Sequence, residues 1–237
     1  MVQGSGNYDS RPDQRTTIRR GNEMEIVKGR YGECRFCDNI DPEFGLPSLE
    51  EKSWDLCFTD PPYGVSYENE GTNYDDIFLP LDWFDRILII SKGLVFTPGA
   101  THLYDYFIHK KPEHLLRYAY YPGNGRRTHV DPILVYGTVS RISHTRDIKE
   151  FDAQKFEGFN HTSPKSIHFW NYYLTKLAPL SVIDPFLGSG TTAEVCESLK
   201  IPWLGYEIME AYKPDIEKRI KRGIEKSKQT NLEAFFT

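Results

Sequence analysis

The sequence predicts a mostly parallel α/β sheet with helices on both faces, and three observations carry that prediction. Short β-branched or aromatic runs alternate with longer segments of helical apolar spacing, which is the pattern of strands joined by covering helices. One run, "CFTDPPYGVSY" at 57–67, ends on an acid, two prolines and a tyrosine. A later run, "SVIDPFLGSGTTAEVCESLKIPWLGYEI" at 181–208, ends on an acid, turns through Gly-Ser-Gly and opens a helix.

Taken in order, residues 1–24 are polar and without periodicity, and read as a flexible arm ahead of a single domain over 25–237. Strands are expected at 54–59, 94–97, 115–121, 133–139, 182–183 and 203–206, where β-branched and aromatic residues cluster. Helices are expected at 81–90, 102–108, 166–177, 191–199 and 211–224, where apolar residues recur at three- and four-residue intervals. The strands at 115–121 and 133–139 have no helix between them, so they form an antiparallel hairpin at one edge. Their connection, "PGNGRRTHVD", is long and basic.

Bulk properties exclude several classes. A chain of 237 residues with 39% hydrophobic and 27% charged content is long enough for one sizeable core. It contains no apolar run of membrane-spanning length, and its first residues lack a signal-peptide apolar segment, so an intracellular location is expected. Four cysteines fit a reducing compartment. Cys34 and Cys37 form one C-x-x-C, but a zinc site of that kind needs a second pair, so core positions are expected and no metal.

The net charge of −5 hides an uneven distribution. Residues 38–90 hold thirteen acids against two bases, whereas 115–150 carry Arg117, Arg126, Arg127, Arg141, Arg146 and Lys149 among tyrosines and histidines. A basic stretch interleaved with aromatics can meet phosphates and bases; a solvated face is the alternative.

The late run carries the strongest local chemistry. Gly188 and Gly190 let the backbone bend and approach a ligand, and the helix starting at Thr191 turns unpaired N–H groups towards it. Glu207, nineteen residues after Gly188, stands where an acid accepts hydrogen bonds from ribose hydroxyls. A dinucleotide and S-adenosylmethionine both fit, because Gly188, Gly190 and Ala193 also satisfy a loose G-x-G-x-x-A pattern. Only 47 residues follow Gly190, too few for the rest of a dinucleotide domain, and an Asp-Pro-Pro-Tyr sequence has no use beside a hydride carrier.

Together these words resemble the amino-methyltransferases that act on DNA bases. Asp60-Pro61-Pro62-Tyr63 resembles that family's catalytic motif, and the run from Asp184 through Phe186, Gly188, Ser189 and Gly190 to Thr191 and Thr192 resembles its cofactor loop. "HTSPKS" is similar to the family's H-P-T-x-K-P segment: His161 and Lys165 match, Ser163 stands for the threonine, and Thr162 and Ser166 replace the prolines. Asp38 is the match for the acid that meets the cofactor's adenine, although Cys37 replaces the usual glycine and Glu33 is a rival. The order, catalytic motif first and cofactor loop last, is the permuted order of the beta class, and the resemblance covers about 31–225.

The resemblance implies a Rossmann-like methyltransferase fold, S-adenosylmethionine as cofactor, and double-stranded DNA as partner with the target base flipped out. It implies adenine, since cytosine enzymes more often resemble a Ser-Pro-Pro-Tyr form; cytosine, RNA and a silent nucleic-acid-binding subunit stay open. Asp60 and the Pro61 carbonyl would accept the amine hydrogens, the prolines would stiffen the backbone, and Tyr63 would stack on the base. Arg126, Arg127, Arg141 and Arg146 are the expected DNA contacts. The segment left for target recognition, about 137–160, is short. That length implies a short target, weak preference, a specificity partner or homodimer, or help from the arm and the 122–131 loop.

Overall fold

The structure is a computed structural model describing residues 24–62, 81–99, 102–121, 129–139, 148–152 and 166–235. Its strands are β1 (Glu25–Lys28), β2 (Gly32–Phe36), β3 (Trp54–Thr59), β4 (Ser91–Phe96), β5 (His114–Tyr121), β6 (His129–Gly137), β7 (Ile148–Asp152), β8 (Val182–Asp184) and β9 (Trp203–Glu207). Its helices are α1 (Asp82–Ile90), α2 (Leu103–His109), α3 (Ile167–Leu177), α4 (Thr191–Leu199) and α5 (Lys213–Phe235). The strands form one sheet in the order β1-β2-β9-β8-β3-β4-β6-β5-β7.

Pairing is parallel from β2 through β9, β8 and β3 to β4. β6 runs against both β4 and β5, and β1 runs against β2. Five adjacent strands therefore present their carboxyl ends along the same edge. In open α/β sheets that edge is where ligands bind.

The period-2 alternation of buried strands divides the core. Leu56 and Phe58 of β3 and Val95 of β4 face one way, packing with Phe169, Trp170, Tyr173 and Leu174 of α3, Ala193 and Val195 of α4 and Ile216 and Ile220 of α5. Cys57 of β3 and Leu94 and Phe96 of β4 face the other way, against Trp83, Phe84 and Ile87 of α1 and Tyr106 of α2. Helices thus cover both faces, as the alternation predicts.

On the first face α4 and α5 lie close because Gly223 has no side chain: a Cβ there would sit 2.4 Å from the Glu194 carbonyl oxygen. Glu194, buried between them, is paired at both carboxylate oxygens. Arg219 Nη1 donates to Glu194 Oε2 at 2.7 Å and Lys226 Nζ to Glu194 Oε1 at 2.6 Å.

Four features differ from the sequence expectation. The β5–β6 hairpin lies one strand in from the edge, because β7 pairs in parallel with the outer side of β5. β7 falls inside the 137–160 segment expected to recognise the target, so part of that segment is sheet. The two strands β1 and β2 were not expected; "EIVK" and "GECRF" are short and each carries two charged residues. Helix α5 runs to Phe235 rather than stopping near 224.

Cys34 and Cys37 are buried free thiols that pack in separate core clusters, Cys34 with α3–α5 and Cys37 with α1–α2. Among the described residues no group of side chains could hold a metal ion. None of the described helices is long and apolar enough to cross a membrane. The expected arm at 1–24 lies outside the described residues apart from Met24.

Candidate active site

Two Asp-Pro steps end neighbouring strands. β3 delivers Asp60-Pro61-Pro62, and β8 delivers Asp184-Pro185-Phe186, with Leu56 paired to Val182 and Cys57 to Ile183 between them. Each proline lacks an N–H and fixes its φ, so each strand stops where its acid emerges.

Asp184 is 2% exposed. The hydroxyls of Thr59 and Thr192 donate to its Oδ1 and Oδ2, and the Phe186 N–H donates to Oδ1 at 3.1 Å. Thr192 in turn accepts from the Trp170 indole at 2.6 Å. Burial pushes the Asp184 carboxyl up to about 6, while those donors pull it down and nearby Asp60 adds a smaller upward push. One carboxylate thus ties together β3, the β8 loop, α4 and, through Thr192, α3.

The loop after Asp184 turns on two glycines with left-handed backbone, Gly188 at φ +54° and Gly190 at φ +86°. At Gly190 a Cβ would also approach the Ile216 Cα to 3.1 Å, so this position needs glycine for conformation and for space. Ser189, Thr191 and Thr192 are buried, and Thr191 and Thr192 form the first turn of α4.

Glu207 ends β9 beside this loop. The Gly188 N–H donates to its Oε2 at 2.7 Å and the Met209 N–H to its Oε1 at 2.8 Å. Burial pushes its carboxyl up to about 7, against the downward pull of backbone N–H donors at Met209, Gly188 and Ile208. Two residues beyond Phe36, which pairs with Glu207 in register, half-buried Asp38 caps a turn by accepting the Ile40 N–H at 3.1 Å. Asn39 then donates to the Pro185 carbonyl at 3.0 Å, tying the Asp38 turn to the glycine loop. Phe186 is half-buried, its ring perpendicular to Trp83 at 5.0 Å between centroids.

The structure therefore gathers Asp38, Asp60, Pro61, Pro62, Asp184, Phe186, Gly188, Ser189, Gly190, Thr191, Thr192 and Glu207 at one edge of the sheet. Tyr63, His161, Ser163, Lys165, Arg126, Arg127, Arg141 and Arg146 lie outside the described residues. Sequence reasoning missed Thr59, Thr97 and Asn39. Each is a neutral polar residue at or just past a strand end, and that position is the signal that could have found them.

Comparison with known proteins agrees with this geometry. Residues 180–218, from β8 through the glycine loop and β9 into the start of α5, match the family model N6_N4_Mtase, DNA methylase. Similar solved structures include M1.HpyAVI bound to SAM, with a TM-score of 0.58 and 18% identity over 79% of this chain and 99% of that one. The fold is that of a DNA methyltransferase. PvuII DNA methyltransferase, cytosine-N4-specific, shares it with a TM-score of 0.58 and 14% identity, over 86% of this chain and 96% of that one. The Thermus thermophilus protein TTHA0409 gives a TM-score of 0.52 and 19% identity, over 76% of this chain and 91% of that one. No curated protein matches the chain. In this methyltransferase fold the motif order is resolved in space: β3 and β8, 125 residues apart at Thr59 and Asp184, are immediate neighbours.

Proposed function

We propose that the protein transfers the methyl group of S-adenosylmethionine to the exocyclic amine of adenine in DNA. The observation that carries this reading is the joint between β3 and β8. Thr59, the residue before Asp60, is hydrogen-bonded to Asp184, the residue that anchors the glycine loop. A methyl acceptor at Asp60 and a donor at Gly188–Gly190 would then meet across a fixed distance.

The residues present fit the cofactor. The loop offers backbone unobstructed by side chains at Gly188 and Gly190, Glu207 offers a carboxylate at the adjacent strand end, and Phe186 offers a half-exposed ring. We assign Gly188, Ser189, Gly190, Thr191 and Thr192 to the methionine end, Glu207 to the ribose hydroxyls and Asp38 to the adenine. Asp184, whose carboxylate already takes three donors, is assigned to holding the loop rather than touching the cofactor. His161, Ser163 and Lys165 join the methionine end through the resemblance of their motif. When bound, S-adenosylmethionine supplies an electrophilic methyl group on a sulfonium.

The protein's own task is to expose a lone pair. An adenine amine is a weak nucleophile because its nitrogen lone pair is delocalised into the ring. Asp60 and the Pro61 carbonyl accept its two hydrogens and let the nitrogen pyramidalise, which is positioning and electrostatics rather than covalent catalysis. The base must leave the duplex to reach this edge, and Tyr63 is the ring expected to stack on it. Arg126, Arg127, Arg141 and Arg146 are assigned to the DNA backbone.

The likeness to the cytosine-N4-specific PvuII enzyme supports a second reading, in which the same edge takes the cytosine amine. Incubation with labelled S-adenosylmethionine and DNA or RNA, digestion to nucleosides and mass spectrometry decide between them. N6-methyladenine from DNA is expected. N4-methylcytosine, or label on RNA alone, overturns the substrate assignment, and cofactor binding without transfer to any nucleic acid identifies a silent subunit.

A further inference from the structure

We infer that Thr97 is the positioning residue that aims Asp60: its buried hydroxyl, at the end of the neighbouring strand, fixes the carboxylate assigned to the target amine. This rests on the role of Asp60 proposed above.

Thr97 directly follows β4 and is 2% exposed. Its Oγ1 donates to Asp60 Oδ1. The main chain beneath it is held from two directions. Phe96 pairs in register with Thr59, and the Thr97 N–H reaches the Thr59 carbonyl at 3.4 Å. The Phe96 ring is packed edge-on against Tyr106 at 4.7 Å and Trp83 at 5.7 Å. A β-branched side chain on such a backbone has little χ1 freedom, so the hydroxyl points one way.

Asp60 sits between two threonines with distinct tasks. Thr59, 1% exposed, fixes the backbone entering Asp60 by donating to Asp184, and Thr97 fixes the carboxylate itself. The second task matters for the reaction. A carboxylate that must accept an amine hydrogen has to hold its orientation, and a hydroxyl donating to one of its oxygens fixes that orientation.

Thr97→Val removes the hydroxyl while keeping the branch and the volume, and Thr97→Ser keeps the hydroxyl. For Thr97→Val, kcat for methyl transfer to DNA falls about ten- to a hundredfold, the loss of one hydrogen bond to a charged group. Cofactor Kd, KM for DNA and melting temperature stay near wild type, so the loss falls on kcat alone. Thr97→Ser restores kcat to within about threefold. Should Thr97→Val not fold, Thr97→Ala serves in its place. Wild-type kcat without the hydroxyl overturns the inference, as does a loss that serine does not rescue or that appears in KM or cofactor Kd instead of kcat. If wild type and Asp60→Ala are both inactive on all nucleic acids, the functional reading fails and this inference with it. If wild type is active, Asp60→Ala is dead and Thr97→Val is normal, only this inference fails.

Discussion

Asp60 and Asp184 stand at the ends of adjacent parallel strands, each followed by proline, and the fold treats them in opposite ways. Asp184 is sealed beneath the loop and takes two hydroxyls and one backbone N–H. Asp60 is half-buried at the sheet edge and takes the Thr97 hydroxyl. The same dipeptide thus serves as an internal tie in one place and as a reachable acceptor in the other. What separates them is the next few residues. After Asp184 the chain turns back over it through Gly188 and Gly190 and caps it with Thr192; after Asp60 a second proline carries the chain onward.

The largest effect expected from this contrast is kinetic. Asp60→Ala should lower methyl transfer by about a thousandfold or more while cofactor affinity changes less than about threefold, because the lost group is the one proposed to act on the acceptor amine. Asp184→Ala should behave in the reverse sense. It strands three buried donors and opens the joint between β3 and the loop, so unfolding free energy should drop by about 3–5 kcal/mol and cofactor binding should go with it. Urea unfolding and equilibrium cofactor binding on the two variants test both halves. Asp184→Ala with wild-type stability, or Asp60→Ala with wild-type transfer, would break the comparison.

Much of this frame was legible before the structure. β3 and α4 run where the apolar pattern places them, at Trp54–Thr59 and Thr191–Leu199, because each is a long, strongly patterned buried element flanked by its own stop signals. β1, β2 and β7 were not, since strands of four or five residues that carry two or three charges lack an apolar pattern that separates them from loops. The site divided along the same line. Carboxylates and glycines announce themselves by type and spacing. The threonines that aim them do not, because Thr59 meets Asp184 across 125 residues and Thr97 meets Asp60 across 37. A hydroxyl's role is decided by which strand lies alongside, and that follows from topology rather than from local sequence.

The smallest effect concerns the third acid of the edge. Burial holds the Glu207 carboxyl at about 7, well above its ordinary 4.5, so between those values the folded chain binds a proton that the unfolded chain has released. The stabilisation this gives is complete below about pH 4.5 and is lost as pH rises through 7. Glu207→Gln cannot titrate. The stability of wild type relative to this variant should therefore fall by about 3 kcal/mol between pH 4.5 and 8, measured as paired urea midpoints. A flat difference would mean that the three backbone N–H donors already offset the burial cost of the charge. The same group should also couple pH to the cofactor. The ribose hydroxyls proposed to donate to Glu207 would favour its ionised form, so S-adenosylmethionine affinity should rise between pH 6 and 8 in wild type and lose that slope in Glu207→Gln. Asp184, held at about 6 and buried beneath the loop, should contribute to the stability curve but not to that binding slope, which separates the reachable acid from the sealed one in a single titration.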